Sequence, residues 1–262
     1  MDVHEPEHQG PASPGTRGDV PVLFLDAGMV VINKPAGVAV HRGWARERDV
    51  LTERLRIQLG RAVFPVHRLD RGTSGVLVLA LDAATARVLG AAFAAGAVEK
   101  RYLALVRGIP APRTQWIDQP IPSDEGPGAT RVPARTHVHT LATYGRYALV
   151  EARPETGRLH QIRRHLKHIS CPVIGDVNYG KGLHNRWFRQ RHGLGRMFLH
   201  AATVRLQPPH HPEARGPGDP SDHRMTFDAP LPPELAEILL RLAADPSGPD
   251  TDSRRATAAL SP

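Results

Sequence analysis

His67-Arg68-Leu69-Asp70-Arg71-Gly72-Thr73-Ser74-Gly75 is the stretch on which the fold and chemistry of this chain turn. One carboxylate, Asp70, stands among two arginines, two hydroxyls and two glycines. The apolar run Ala62-Val63-Phe64-Pro65-Val66 precedes it and Val76-Leu77-Val78-Leu79-Ala80-Leu81 follows it. An uncharged run rich in Val and Leu predicts a buried strand. The polar cluster is then a loop pinned between two core elements, the way a rigid scaffold presents reactive groups. A buried Asp there needs a hydrogen-bonded partner. The segment alone leaves two readings open, a carboxylate that caps its own turn and a reactive carboxylate. A serine nucleophile is excluded by order. G-x-S-x-G opens a helix, whereas Ser74 is followed directly by Gly75 and a strand.

The 262 residues suffice for one or two domains with a sizeable core. The net charge of +8 favours a polyanionic partner. That charge is concentrated: between Glu155 and His200 nine Lys/Arg face two acids, Glu155 and Asp176. A concentrated patch is a binding footprint. Cys171 is the one cysteine, so no internal disulfide forms and a reducing cytoplasm fits. No apolar run reaches the length of a membrane span, and the N-terminus lacks a signal peptide's apolar core. His160, His165 and His168 lie without a carboxylate cluster, so no metal site is expected.

Residues 1–20 are rich in Pro, Gly and charge and read as a disordered tail, as do residues 245–262. Between them, 21–244 read as one domain. A hairpin is expected from Leu23 to Ile32, and helices over Val50–Leu59, from the cap Asp82 to Ala95, over Leu159–Ile169 and over Pro232–Leu242. Strands are expected at Val98–Val106, His137–Thr143, Tyr147–Arg153, Met197–Leu206 and Arg224–Phe227. Residues 108–133, with six prolines and three glycines, read as an insertion or long loop. Strands and helices do not alternate regularly, which points to an α+β fold: a mixed, largely antiparallel central sheet with flanking helices.

In the helix Leu159–Ile169, Leu159, Ile162, Leu166 and Ile169 form one apolar seam. His160, Arg164, Lys167 and His168 fall on its polar side. Arg163 borders the seam, where an arginine can bury its stem and send its guanidinium to a carboxylate or to solvent. Tyr102, in Glu99-Lys100-Arg101-Tyr102-Leu103-Ala104-Leu105-Val106, reads by pattern as a core tyrosine.

His67-Arg68-Leu69-Asp70-x-x-Thr73-Ser74-Gly75 resembles the catalytic motif of the RluA-type pseudouridine synthases. Asn33-Lys34-Pro35-x-Gly37 resembles their N-terminal signature, and Lys100-x-Tyr102 with Gly108 their second motif. Thr156-Gly157-Arg158-x-His160-Gln161-Ile162-Arg163-x-His165-Leu166 resembles the third, and Pro172-Val173-Ile174-Gly175-Asp176 the following turn. The motifs occur in order over residues 23–228. His41-Arg42-Gly43-Trp44, Arg163-Arg164 with His165-Leu166-Lys167-His168, and His184-Asn185-Arg186-Trp187-Phe188-Arg189 resemble the tRNA pseudouridine(65) synthase branch.

The resemblance implies the pseudouridine synthase fold and an isomerase of uridine in RNA; the twenty residues ahead of the catalytic domain are too few for an S4 domain, so none is expected. tRNA is the implied target, with ribosomal RNA as the alternative. It implies Asp70 as the catalytic carboxylate, Arg163 as its partner and Tyr102 stacked on the uracil. Breaking C1′–N1 and rejoining through C5 adds no group and changes no oxidation state, so neither cofactor nor metal is expected. A target uridine must leave its stack, and Arg68 is placed to fill the gap. Lys34, Arg158, His160, Arg164, Lys167, Lys181, Arg186 and Arg189 are candidate RNA contacts. The enzyme is expected to be cytoplasmic and monomeric. Two other classes remain: a catalytically silent RNA-binding protein on the same fold, and a carboxylate glycosidase, for which a single carboxylate makes no acid/base pair.

Overall fold

The computed structural model describes residues 19–41, 50–123, 126, 128–209 and 224–249. In chain order the strands are β1 Val22–Leu25, β2 Met29–Lys34, β3 Phe64–Pro65, β4 Ser74–Ala80, β5 Glu99–Arg107, β6 Thr114–Asp118, β7 Ile121–Pro122, β8 Arg131–Val132, β9 Arg135–Tyr144, β10 Tyr147–Pro154, β11 Leu199–Leu206 and β12 Met225–Asp228. The helices are α1 Leu51–Leu59, α2 Ala83–Ala94, α3 Gln161–His168, α4 Gly182–His192 and α5 Pro233–Ala244.

Every residue of β4 is buried, as its uncharged sequence requires. It lies inside a sheet ordered β1-β2-β4-β11-β5-β10-β9-β6, with β3 beside β4 and β12 beside β11. Among the described strands β4 with β11 is the one parallel pairing; the other neighbours run antiparallel. Leu51 and Leu55 of α1 pack on Ile32, Leu77 and Leu79, while Ile162 and Leu166 of α3 pack on Val138, Val150 and Ala152. Tyr102 of β5 touches both of these clusters and so sits at the seam between them. α2 packs through Leu89 with Val76, Val78 and Val204, and α4 and α5 pack through Phe188, Leu235 and Ile238 with Leu105 and Phe198. Asp82 caps α2 by accepting from Thr85 N and Thr85 Oγ1, both at 2.8 Å.

The structure corrects several expectations. The domain takes in residues before 21: Val20 is buried, and Gln58 bonds both its N–H and its carbonyl. It also runs past 244, because Pro249 is buried and its carbonyl accepts from Arg146 Nη1. The remainder of both expected tails, 1–18 and 250–262, and Arg42-Gly43-Trp44 lie outside the described residues. Part of 108–133 belongs to the fold proper. β6 pairs with β9 along the sheet edge and buries Ile117, and β7 pairs with β8. α4 had no counterpart in the expected elements. His160 is not on a helix face: it precedes α3 with φ 55°, in the left-handed region.

Candidate active site

The loop carrying Asp70 is stitched to the end of β2. Lys34 is fully buried, and its Nζ donates to the carbonyls of Pro35 (2.9 Å), Arg71 (3.3 Å) and Thr73 (2.9 Å). Arg71 Nε donates to Gly37 O, and Gly37 N donates back to Arg71 O, each at 2.8 Å. Burial, with Arg196 adding and Asp70 opposing, pulls the Lys34 ammonium down to about 7. Lys34 is therefore a strut of the loop and cannot be a phosphate contact, because its three donors are consumed inside the protein. His67 is a second strut. Its Nε2 accepts from Val78 N at 3.0 Å and its ring stacks on Phe93 at 4.1 Å. Burial, reinforced by Lys100, drives that imidazole down to about 3, so it stays neutral.

Asp70 does not cap its own turn. Its backbone carbonyl accepts from Thr73 N, which closes the turn and leaves the side chain to reach across to α3. There Arg163 Nη1 donates to Asp70 Oδ2 at 2.9 Å. Arg163 is buried, and its other edge is bidentate on Asp176: Nε to Oδ2 at 2.7 Å and Nη2 to Oδ1 at 2.9 Å. Burial works against the guanidinium charge, but the two carboxylates outweigh it and hold Arg163 protonated. His160 Nε2 stands 3.8 Å from Asp70 Oδ1. Its Nδ1 is 3.1 Å from the Tyr179 hydroxyl, which accepts from Arg164 Nε at 2.9 Å.

A cleft of about 650 Å³ opens over Asp70, within the range of small-molecule sites. Arg68, Tyr102, Lys100, Arg158, His160 and Arg163 all line it. Burial, then the Asp70 charge, pushes the Tyr102 phenol far up, so it presents a flat neutral ring beside the carboxylate. Burial pulls the Lys100 ammonium down, and its Nζ lies 3.5 Å from Thr156 O. Arg164, Lys167, Lys181, Arg186 and Arg189 lie outside the cleft. Arg164 is tied to Tyr179 and, at 2.6 Å, to Pro122 O. Lys167 is exposed with Nζ 5.7 Å from the Tyr179 ring, and Lys181, Arg186 and Arg189 are exposed at the start and along the outside of α4. Asp176 had no role assigned from the sequence. One signal pointed to it, its position as one of two acids in a strongly basic stretch.

The cleft thus sets the Asp70 carboxylate, backed by a guanidinium and flanked by an aromatic ring, beside a second and exposed carboxylate, Glu155. A family model described as RNA pseudouridylate synthase matches residues 28–168, which contain Asp70, Tyr102 and Arg163. The chain belongs to this family. It is 38% identical over 229 residues to a tRNA pseudouridine synthase C of Pectobacterium carotovorum, covering 80% of this chain and 59% of that protein. It is 37% identical over 218 residues to the tRNA pseudouridine synthase C of Vibrio cholerae, covering 72% of this chain and 86% of the relative. Among solved structures it resembles human RNA Pseudouridylate Synthase Domain Containing 4, with TM-score 0.66, 29% identity and coverage of 85% and 93%. Human RNA Pseudouridylate Synthase Domain Containing 1 gives TM-score 0.62, 27% identity and coverage of 91% and 100%.

Proposed function

We propose that this protein isomerises a uridine of tRNA to pseudouridine, with Asp70 as the reacting carboxylate. The observation that carries this is the pairing of Asp70 with Arg163 at the base of a cleft that also holds Tyr102. The relatives named tRNA pseudouridine synthase C support tRNA over ribosomal RNA, and the position-65 type is what the resemblance of the sequence motifs implies. In the reaction the C1′–N1 bond breaks, the uracil turns, C5 bonds to C1′, C5 gives up its proton and N1 gains one. Asp70 works at the sugar edge of that exchange. Arg163 offsets the cost of keeping a charged carboxylate in a half-buried place. Tyr102 supplies the stacking face for the turned base, and Arg68, exposed at the mouth, fills the space the flipped nucleotide leaves.

Phosphate contacts come from Arg158 at the cleft and from Lys167, Lys181, Arg186 and Arg189 beyond it. A monomeric enzyme completes this reading. Among the described residues no helix is long and apolar enough to cross a membrane. A tRNA substrate is in keeping with a cytoplasmic enzyme. The test is incubation with unmodified tRNA transcripts and mapping of pseudouridine by carbodiimide adducts, with ribosomal RNA in parallel. The wild type is expected to convert one uridine in tRNA, and Asp70→Asn none. Conversion by Asp70→Asn at the wild-type rate sinks the mechanism. Conversion confined to ribosomal RNA moves the substrate.

A further inference from the structure

We infer that Asp176 is a positioning residue for the reaction: by occupying the Nε/Nη2 edge of Arg163, it makes Arg163 meet Asp70 end-on through a single N–H. This rests on the reading of Asp70 as the reacting carboxylate. A guanidinium left to itself grips a carboxylate side by side through two parallel N–H groups. Such a grip would occupy both oxygens of Asp70. Here that bidentate edge is spent on Asp176, at 2.7 and 2.9 Å, and only Nη1 reaches Asp70 Oδ2. Among the described residues Asp70 Oδ1 accepts no hydrogen bond, and His160 Nε2 stands off at 3.8 Å. One oxygen of Asp70 is thus held in place and the other is left facing the cleft.

Asp176 is itself held rigidly. Its Oδ1 also accepts from Asn178 N at 2.9 Å and Tyr179 N at 3.0 Å. Asn185 of α4 closes the turn, with Nδ2 donating to Asp176 O at 2.8 Å and Oδ1 accepting from Gly175 N at 2.9 Å. Burial pushes the Asp176 carboxyl up, but the bonds from Arg163, Tyr179 N and Asn178 N outweigh it and hold it ionised. The side chain is 1% exposed as a residue and cannot touch RNA, so any effect on rate passes through Arg163.

The test compares wild type, Asp176→Asn and Asn185→Ala in single-turnover kinetics across pH, below each variant's melting temperature. The charged and titratable groups facing Asp70 are Arg163 from α3, the His160 imidazole before it, Lys34 from β2 and the Tyr102 phenol from β5. Asp176→Asn leaves the full guanidinium charge on Asp70. The expected result is a loss in kcat on the order of a hundredfold, KM for RNA within about twofold, and an acid limb moved to lower pH. A purely structural role would let Arg163 drift off Asp70 and move that limb to higher pH. That outcome, or a kcat within about twofold of wild type, overturns the proposal. Asn185→Ala keeps the Asp176 charge and loosens its turn, so a smaller fall in kcat is expected. Full activity of Asn185→Ala, should Asp176→Asn fail to fold, also overturns it. The crystal structure of the better-folded variant gives a reading independent of turnover: Arg163 turned to grip Asp70 through two N–H groups supports the proposal, and an Arg163 that is unmoved or has left Asp70 ends it. If wild type converts no uridine, the reading of function fails while this structural comparison still decides the geometry.

Discussion

Gly75 lies directly against the backbone of Ala201, where β4 and β11 run parallel. A Cβ added at Gly75 would stand 2.1 Å from Ala201 O and 2.7 Å from Ala201 C. Its φ is +112°, which L side chains rarely adopt. The second residue of β4, five positions after Asp70, is therefore what lets the one parallel pairing in the described sheet close beneath the site. Gly75→Ala must push two buried strands apart, and the expected cost exceeds about 4 kcal/mol. Gly37, at φ +87°, has nothing within 4 Å of an added Cβ, so Gly37→Ala should cost only about 1–2 kcal/mol. Urea melts of the two variants measure the difference, and equal losses would contradict the close approach.

Arg163→Lys keeps one positive charge but gives up the planar fork. A lysine ammonium can serve Asp70 or Asp176, and it cannot reproduce the three N–H bonds that Arg163 makes to the two carboxylates. Turnover is expected to fall by about a hundredfold, with RNA affinity little changed because Arg163, at the base of the cleft, is buried and spends its N–H groups on Asp70 and Asp176. Gel-shift titration beside single-turnover kinetics separates the two effects. A matching loss of affinity would place Arg163 in contact with RNA instead.

Fold class was legible in the sequence because its signals are local. The uncharged run at 76–81 became β4, buried along its whole length, and the 3-4-3 apolar spacing around Ile162 and Leu166 marked α3. The contact between Asp70 and Arg163, 93 residues apart in the chain, followed from an arginine bordering that apolar seam and from family resemblance. What stayed illegible was burial of charge. Lys34 has the composition of a surface cation, and only the carbonyls of Pro35, Arg71 and Thr73, brought together by the fold, give it a reason to be inside. Asp176 was hidden likewise, since its role exists only through Arg163. α4 escaped because Leu183, Trp187 and Phe188 are its main large apolar residues among cations and histidines, too few for a clear periodicity. β6 escaped because Pro-rich flanks masked a five-residue edge strand.

Acid should weaken the fold before its carboxylates titrate. His67 is held neutral by burial, with a value near 3, and its Nε2 accepts from Val78 N. In the unfolded chain the same imidazole titrates near 6.5. Between those values the unfolded state binds the extra proton, so stability falls as pH drops below about 6.5. His184, pulled down to about 4 chiefly by burial, acts in the same direction. Urea midpoints are expected to decline from about pH 7 to about pH 4.5. His67→Gln, which keeps an acceptor for Val78 N, should flatten that decline, and an unchanged slope would show that His67 is not its source.

The outer surface of α4 sets the last expectation, because it separates binding from chemistry. Arg186 and Arg189 are exposed there, outside the cleft, and α4 contains no acid to neutralise them. Each phosphate they neutralise releases condensed counterions, so binding should weaken steeply with salt. The double variant Arg186→Ala, Arg189→Ala should lower the slope of log K against log salt by about one for each phosphate it no longer neutralises. Since neither residue touches Asp70, Arg163 or Tyr102, conversion of RNA already bound should proceed at the wild-type rate. Filter binding from low to moderate salt measures the first effect, and single turnover at saturating enzyme measures the second. A salt slope equal to wild type would remove α4 from the RNA interface and leave the footprint to Arg158 and Lys167 beside the cleft.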